Sequence, residues 1–324
     1  MKYISVIFLL MMLASCQVNK DKVNLSKLES PIIFKGDDNT AYRDPAILYQ
    51  DEQFYLYFTL SRVENDSVFQ YTAQSRSRDL VNWTPYEIIT PRDQKFDFCS
   101  PGNVIKYNDE WIMCLQTYPR PNYTVDQMPR FGNNEARLYT MTSKNLETWS
   151  QPELLRVKGN DVSIEKMGRM IDAYFIEDNN EPGKWWCFYK QNGVSMSYSY
   201  NLRDWTFFGY TESGENVCVL TENDEYILLH SLKNGMEIKK SKDLVHWEDF
   251  GPLITLGQQN WEWAKGRISA GAILDLRKVD GINKYLMFFH GSGPLTEEEG
   301  DFDKNSSLGI AWSDDLTNWE WPGK

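Results

Sequence analysis

Three carboxylates stand at matching places before three apolar runs. Asp44 precedes Ala46-Ile47-Leu48, Asp172 precedes Tyr174-Phe175, and Glu215 precedes Val217-Cys218-Val219. Each lies two positions ahead of a run with strand character, so a common fold of the three segments would bring the acids together. Clustered carboxylates perturb one another's proton affinity, so one can stay protonated as an acid while another stays ionised as a base. Cleavage of a glycosidic bond requires that division of labour. Arg43, Arg169 and Arg267 lie beside the expected cluster and are candidate partners for the acids or for a substrate. The equivalent points elsewhere in the chain are small: Ser100-Pro101-Gly102 and Ser269-Ala270-Gly271.

The elements that must position these acids are announced by a repeat. Ser-x-Asp/Asn-Leu-x-x-Trp occurs five times, as Ser77 to Trp83, Ser143 to Trp149, Ser199 to Trp205, Ser241 to Trp247 and Ser313 to Trp319. Short aromatic and β-branched runs separated by turn residues precede each copy, for example Ala46 to Tyr49, then Asp51-Glu52-Gln53, then Phe54 to Thr59. Such runs are strands joined by hairpins. Five units of about four strands, repeating every 40 to 70 residues or so, predict an all-β, five-bladed β-propeller. Ser and Asp/Asn of the repeat would cap the turn between third and fourth strands, and its Leu and Trp would pack between blades. The last copy ends near the C-terminus, so Ser30 to Lys35 is expected to supply a strand to blade five and close the ring.

Composition narrows the partners. The 324 residues carry a formal net charge of −12, which argues against a nucleic-acid ligand because counterion release needs a basic surface. Neither CxxC, HExxH, GxSxG nor a phosphate-cradling glycine loop occurs, so zinc, serine-nucleophile and nucleotide chemistry have no foothold. Of the 12 Trp, Trp261 and Trp263 lie just before blade five beside Arg267, and they, with Phe98, are the expected sugar-stacking residues. The stretch from Tyr118 to Phe131 is a polar insertion that could wall the site. Cys99, Cys114, Cys187 and Cys218 have irregular spacing and mostly apolar settings, which predicts buried free thiols.

The N-terminus has a different character. Residues 1–15 hold a basic Lys2 and an apolar run too short to span a bilayer, the pattern of a cleaved signal peptide. Leu13-Ala14-Ser15-Cys16 resembles the bacterial lipobox, which implies lipidation of Cys16, a tether over 16–30 and a domain over 31–324. The implied location is the cell envelope, with the protein held to a membrane through its lipid.

Taken together, the five-bladed pattern, Asp near the start of blade one, Ile171-Asp172-Ala173-Tyr174-Phe175 in blade three and Glu215 heading blade four resemble glycoside hydrolase family 43. The resemblance covers nearly the whole domain as architecture, through motifs of two to five residues. It implies an inverting, exo-acting hydrolase of arabinofuranosyl, xylosyl or galactosyl residues in polysaccharide fragments. Asp44 would be the general base, Glu215 the general acid and Asp172 the residue tuning that acid, with base and acid roughly 6.5–9.5 Å apart. No cofactor is required by this chemistry. His290, in Phe288-Phe289-His290-Gly291, resembles a family histidine near the axis that contacts a structural calcium or a water. Asn216-Val217 after the acid and Ala173 after Asp172 depart from the family's Glu-Gly-Pro and Asp-Pro, as a divergent member would. A catalytically inactive carbohydrate-binding lipoprotein and a glycoside phosphorylase are the alternatives on the same scaffold.

Overall fold

The computed structural model describes residues 23–324, and the signal peptide and Cys16 lie outside that range. Five antiparallel sheets follow one another along the chain and pack as the blades of a propeller. Blade one comprises Thr40–Gln50, Gln53–Glu64, Ser67–Ser77 and Glu87–Ile88. Blade three comprises Ile171–Glu177, Trp185–Lys190, Val194–Ser199 and Thr206–Thr211, and blade four Glu215–Glu222, Glu225–Ser231, Met236–Ser241 and Glu248–Ile254. The first strand of blade two is broken into Phe98–Cys99 and Val104–Tyr107, both against Glu110–Thr117.

Blade five carries the expected closure. Arg267–Asp275, Tyr285–Ser292 and Ser307–Ser313 form its inner three strands. Ile32–Phe34 then pairs with Ser307–Ser313 at Gly309 and Leu308, while Trp319–Glu320 pairs with the far end of the same strand at Ser313 and Trp312. Both ends of the chain therefore share one strand. Val23, Leu25 and Leu28 pack against the core between blades five and one, so this part of the expected tether is docked onto the domain rather than free of it.

The repeated heptamer works as its residue types dictate. In all five copies the Ser hydroxyl accepts the N–H of the Asp/Asn two residues on, at 3.1–3.3 Å. The Asp/Asn Oδ1 accepts the next two free N–H groups, as Asp79 does from Val81 and Asn82. The Leu that follows sits in the left-handed region in every copy, with φ between 57° and 67°. That strain costs about 1–2 kcal/mol per turn, and the Leu side chain offsets it: Leu80, Leu146, Leu244 and Leu316 are each at most 3% exposed. In four copies the Trp indole N–H closes the turn on the Leu carbonyl, while Trp149 reaches Gln74 of the neighbouring blade instead. Cys99, Cys114, Cys187 and Cys218 are free and buried, as expected. No helix among the described residues is long and apolar enough to cross a membrane.

Candidate active site

A second repeat, invisible as sequence, places the site. The first strands of blades one, three, four and five each carry a bulge where two residues oppose one, the first strand of blade two is interrupted at the same place, and the residue there has positive φ in every blade: Asp44, Ser100, Asp172, Asn216 and Ala270, at 46–55°. Bulges re-aim side chains and end regular pairing, here around the propeller axis. The N–H group of each of these residues is available because the ladder is interrupted, and in four of the five blades the preceding blade satisfies it. Asp44 N donates to His290 Nδ1 (3.2 Å), Ser100 N to Thr59 Oγ1 (2.7 Å), Asp172 N to Gln116 Oε1 (2.6 Å) and Ala270 N to Ser231 Oγ (2.8 Å). In blade three the corresponding second-strand residue is Lys190, which has no acceptor to offer Asn216. The inner strands are thus stitched blade to blade around the axis.

This geometry corrects the expected register of Glu215. Asp44 and Asp172 occupy equivalent bulge positions, but the equivalent residue in blade four is Asn216. Glu215, opposite Ser231, instead matches Arg43 opposite Thr59. The one-residue offset does not remove it from the site. Asp44, Asp172 and Glu215 all line one cavity of about 250 Å³ on the axis, with Arg43, Arg169 and Arg267.

The three acids have different surroundings. Asp44 Oδ2 accepts from Thr59 Oγ1 at 2.8 Å, and the same hydroxyl oxygen accepts the N–H of Ser100. Asp172 is buried and accepts from Ser100 Oγ at 3.2 Å. Burial, then the charges of Glu215 and Asp44, push its pKa up to about 7. Glu215 is the most open, its side chain 32% exposed, and its Oε1 is held by Arg267 at 2.6 Å.

Glu297 is the member that sequence inspection missed. It lies in the loop between the second and third strands of blade five, inside Thr296-Glu297-Glu298-Glu299-Gly300-Asp301, a run that reads as a solvated surface turn. The loop folds over the axis and buries Glu297 to 3% exposure. There Glu297 Oε2 accepts from Arg267 at 2.5 Å, its Oε1 accepts from His290 at 3.0 Å, and Arg43 lies 3.9 Å away. Burial works against its charge, but Arg43, the His290 hydrogen bond and Arg267 outweigh it and hold the carboxyl well below the usual range. Arg267 therefore bridges Glu297 and Glu215, and its own pKa is raised by those two charges against the opposing effect of burial.

His290 does not fit a calcium ligand. Its Nδ1 accepts the Asp44 N–H, which leaves the proton on Nε2 for Glu297, so both ring nitrogens are engaged. Calcium takes six to eight oxygen ligands, and among the described residues no group of three or more His, Cys, Asp or Glu is arranged to hold a metal.

The aromatic wall also differs from expectation. Trp261 and Trp263, both half-buried, stack on each other (5.1 Å) and pack with Phe289 and Trp321 against the blade-five core, because two short 3-10 turns at Gln258–Asn260 and Glu262–Ala264 turn them towards it. Phe98 is buried against Leu115, Met141 and Tyr139. None of the three lines the cavity. Tyr118 and Phe131, from the two ends of the insertion, and Phe302 line it instead, with Phe131 edge-on to Phe302 at 4.7 Å and the Arg43 guanidinium over the Phe302 ring at 3.8 Å. The insertion is pinned by fully buried Arg120, whose Nε donates to Asp97 (3.1 Å) and Nη1 to Asp303 (2.7 Å).

The five-bladed propeller is shared with a group of solved glycoside-cleaving enzymes. The catalytic domain of a Coprinopsis cinerea family 62 α-L-arabinofuranosidase superposes with a TM-score of 0.61 at 14% identity, over 87% of this chain and 96% of that one. A thermostable family 43 glycoside hydrolase gives 0.57 at 14% identity over 89% and 95%, and an exo-1,5-α-L-arabinanase from a bovine ruminal metagenomic library 0.55 at 15% over 87% and 96%. At these identities the likeness establishes the fold. No family model and no curated protein sequence matches the chain.

Proposed function

We propose that the protein is a glycoside hydrolase, inverting and exo-acting, that removes a terminal glycosyl residue of the arabinofuranosyl, xylosyl or galactosyl type from polysaccharide fragments. The observation that carries this reading is the convergence of Asp44, Asp172 and Glu215, from three blades, on one axial cavity. A volume of about 250 Å³ lies just below the usual span of ligand cavities, roughly 300 to 1,000 Å³. It suits a single sugar ring, and hence exo action.

The roles follow from the surroundings. Asp44, oriented by Thr59, acts as general base and deprotonates the attacking water. Asp172 retains a proton near neutral pH, and beside it stands Glu215, the more open of the two. The pair thus has a proton to pass to the leaving oxygen, with Glu215 as the group that reaches it and Asp172 as the group that tunes it. Arg267 orients Glu215 through the buried Glu297. By its leader and Cys16 the enzyme is lipid-anchored in the cell envelope.

A panel of nitrophenyl glycosides with wild type, Asp44→Asn and Glu215→Gln tests the reading. Each variant should lower kcat/KM by roughly 10²–10⁴-fold on the substrate that wild type cleaves. Full activity in both would sink it.

A further inference from the structure

The three arginines of the cavity are not equivalent. Arg43 and Arg267 both face Glu297, and Arg267 is also spoken for by Glu215. Arg169 lines the same cavity, half-buried, and has no ion pair with any described residue. Its place is nevertheless built. The backbone on either side is clamped by Gln191, whose Nε2 donates to Met167 O (3.0 Å) and Arg169 O (2.8 Å), and Met170 N donates to Ala136 O (3.1 Å). Gly168, with φ of 73°, makes the turn into this clamp, and a Cβ there would meet Gln191 Nε2 at 2.9 Å. The charge of Arg169 is felt by both Asp172 and Tyr118, which line the cavity with it.

We propose that Arg169 is a carboxylate-reading residue and that the sugar taken into the cavity is a uronic acid. This deepens the glycosidase reading and rests on it. A ligand entering the cavity strips water from Arg169. A neutral ring would leave that guanidinium desolvated with only hydroxyl partners, whereas a carboxylate closes it in a bidentate pair. The cavity tolerates the added anion. Arg43, Arg169 and Arg267 offset Asp44, Glu215 and Glu297 when Asp172 carries its proton, which leaves only the exposed Glu298 as a net negative charge, so the site is far less acidic than its five carboxylates alone suggest. Of the two pyranose types proposed above, xylosyl has no exocyclic carbon, whereas galactosyl has one, C6, which can bear a carboxylate. The galacturonosyl residue is therefore the specific expectation.

The test compares 4-nitrophenyl galacturonides with the matching galactosides, both anomers of each, alongside calorimetric binding of galacturonic acid and galactose. Wild type should prefer the acid at least tenfold in kcat/KM and in Kd, and Arg169→Met should bring that ratio towards one. Arg169→Lys, which keeps the charge but loses the fork, should fall between, and it decides the matter if Arg169→Met does not fold. Equal or faster turnover of galactosides by wild type, or equal losses on both sugars in the variants, overturns the inference while leaving the hydrolase reading intact. So does cleavage that depends on added inorganic phosphate and on Arg169, which would assign the residue to phosphate. Should no glycoside be cleaved while galacturonic acid still binds tenfold tighter through Arg169, the inference stands and the hydrolase reading fails.

Discussion

Replacing Glu297 by Gln should be among the most damaging single changes available outside the hydrophobic core. The carboxylate is 3% exposed and stands among Arg43, Arg267 and His290. An amide of the same shape takes from Arg43 its ion-pair partner and leaves Arg267 with Glu215 alone. Removing one partner of a buried pair costs about 3–5 kcal/mol. With an unfolding entropy of about 2.1 cal/mol/K per residue, a chain of roughly 300 ordered residues loses about 1.6 °C per kcal/mol, so Tm should fall by roughly 5–8 °C. The exposed neighbour Glu298 provides the control, and Glu298→Gln should move Tm by less than about 1 °C. The effect has a defined pH range. Because the folded carboxyl is held well below the usual range, its contribution is complete above the unfolded value of about 4.3 and is lost as pH falls through the folded one. The gap between wild type and Glu297→Gln should be full at pH 7 and narrow only below about pH 4. Since Arg267 would lose its anchor, kcat should fall as well. Scanning calorimetry at pH 7 and pH 3.5 is the assay. A Tm within 1 °C of wild type at pH 7, or an equal loss in Glu298→Gln, would refute the assignment of Glu297 as the charge that holds the site together.

Two further outcomes separate roles that look alike in a contact list. Asp172 has its folded pKa raised to about 7, so its stabilising contribution is complete below the unfolded value of about 3.9 and is lost as pH rises through 7. Asp172→Asn should therefore be more stable than wild type at pH 8, by an amount on the order of a few kcal/mol, while being slower; denaturant titration at pH 5 and pH 8 checks this, and an unchanged difference between the two pH values contradicts it. Trp261→Ala should destabilise by roughly 3–5 kcal/mol through lost packing while leaving KM unchanged. A raised KM at preserved stability would return Trp261 to the substrate.

The fold was legible in the heptamer because every residue type in it has a turn-specific task. Ser and Asp/Asn accept N–H groups, Leu buries a strained corner and Trp closes it. Aligned apolar runs led to Asp44 and Asp172 for a similar reason, since the run begins where regular pairing resumes. The same counting misplaced Glu215 by one position because it ignored the bulge, whose extra residue in blade four is Asn216. Local hydrophilicity concealed Glu297, whose acidic neighbours are mostly on the surface while it alone among the three adjacent glutamates turns inward. Proximity in sequence to Arg267 made Trp261 and Trp263 look like rim residues. Two short 3-10 turns reverse their direction, and no periodicity announces a turn of three residues.

The seam in blade five has a mechanical consequence. Ile32–Phe34 contributes three residues to the ladder that closes the ring, and the preceding stretch, with Val23, Leu25 and Leu28, lies on the core between blades five and one. A pull exerted through the N-terminal residues would be borne first by those apolar contacts and then by the short ladder at Gly309 and Leu308. Tyr42 N bonds to Ser306 O just beyond it, on the path to Asp44. Where the chain is held by its N-terminus, force that peels the closing segment would next load the Tyr42–Ser306 bond, two residues from Asp44 in the first strand of blade one.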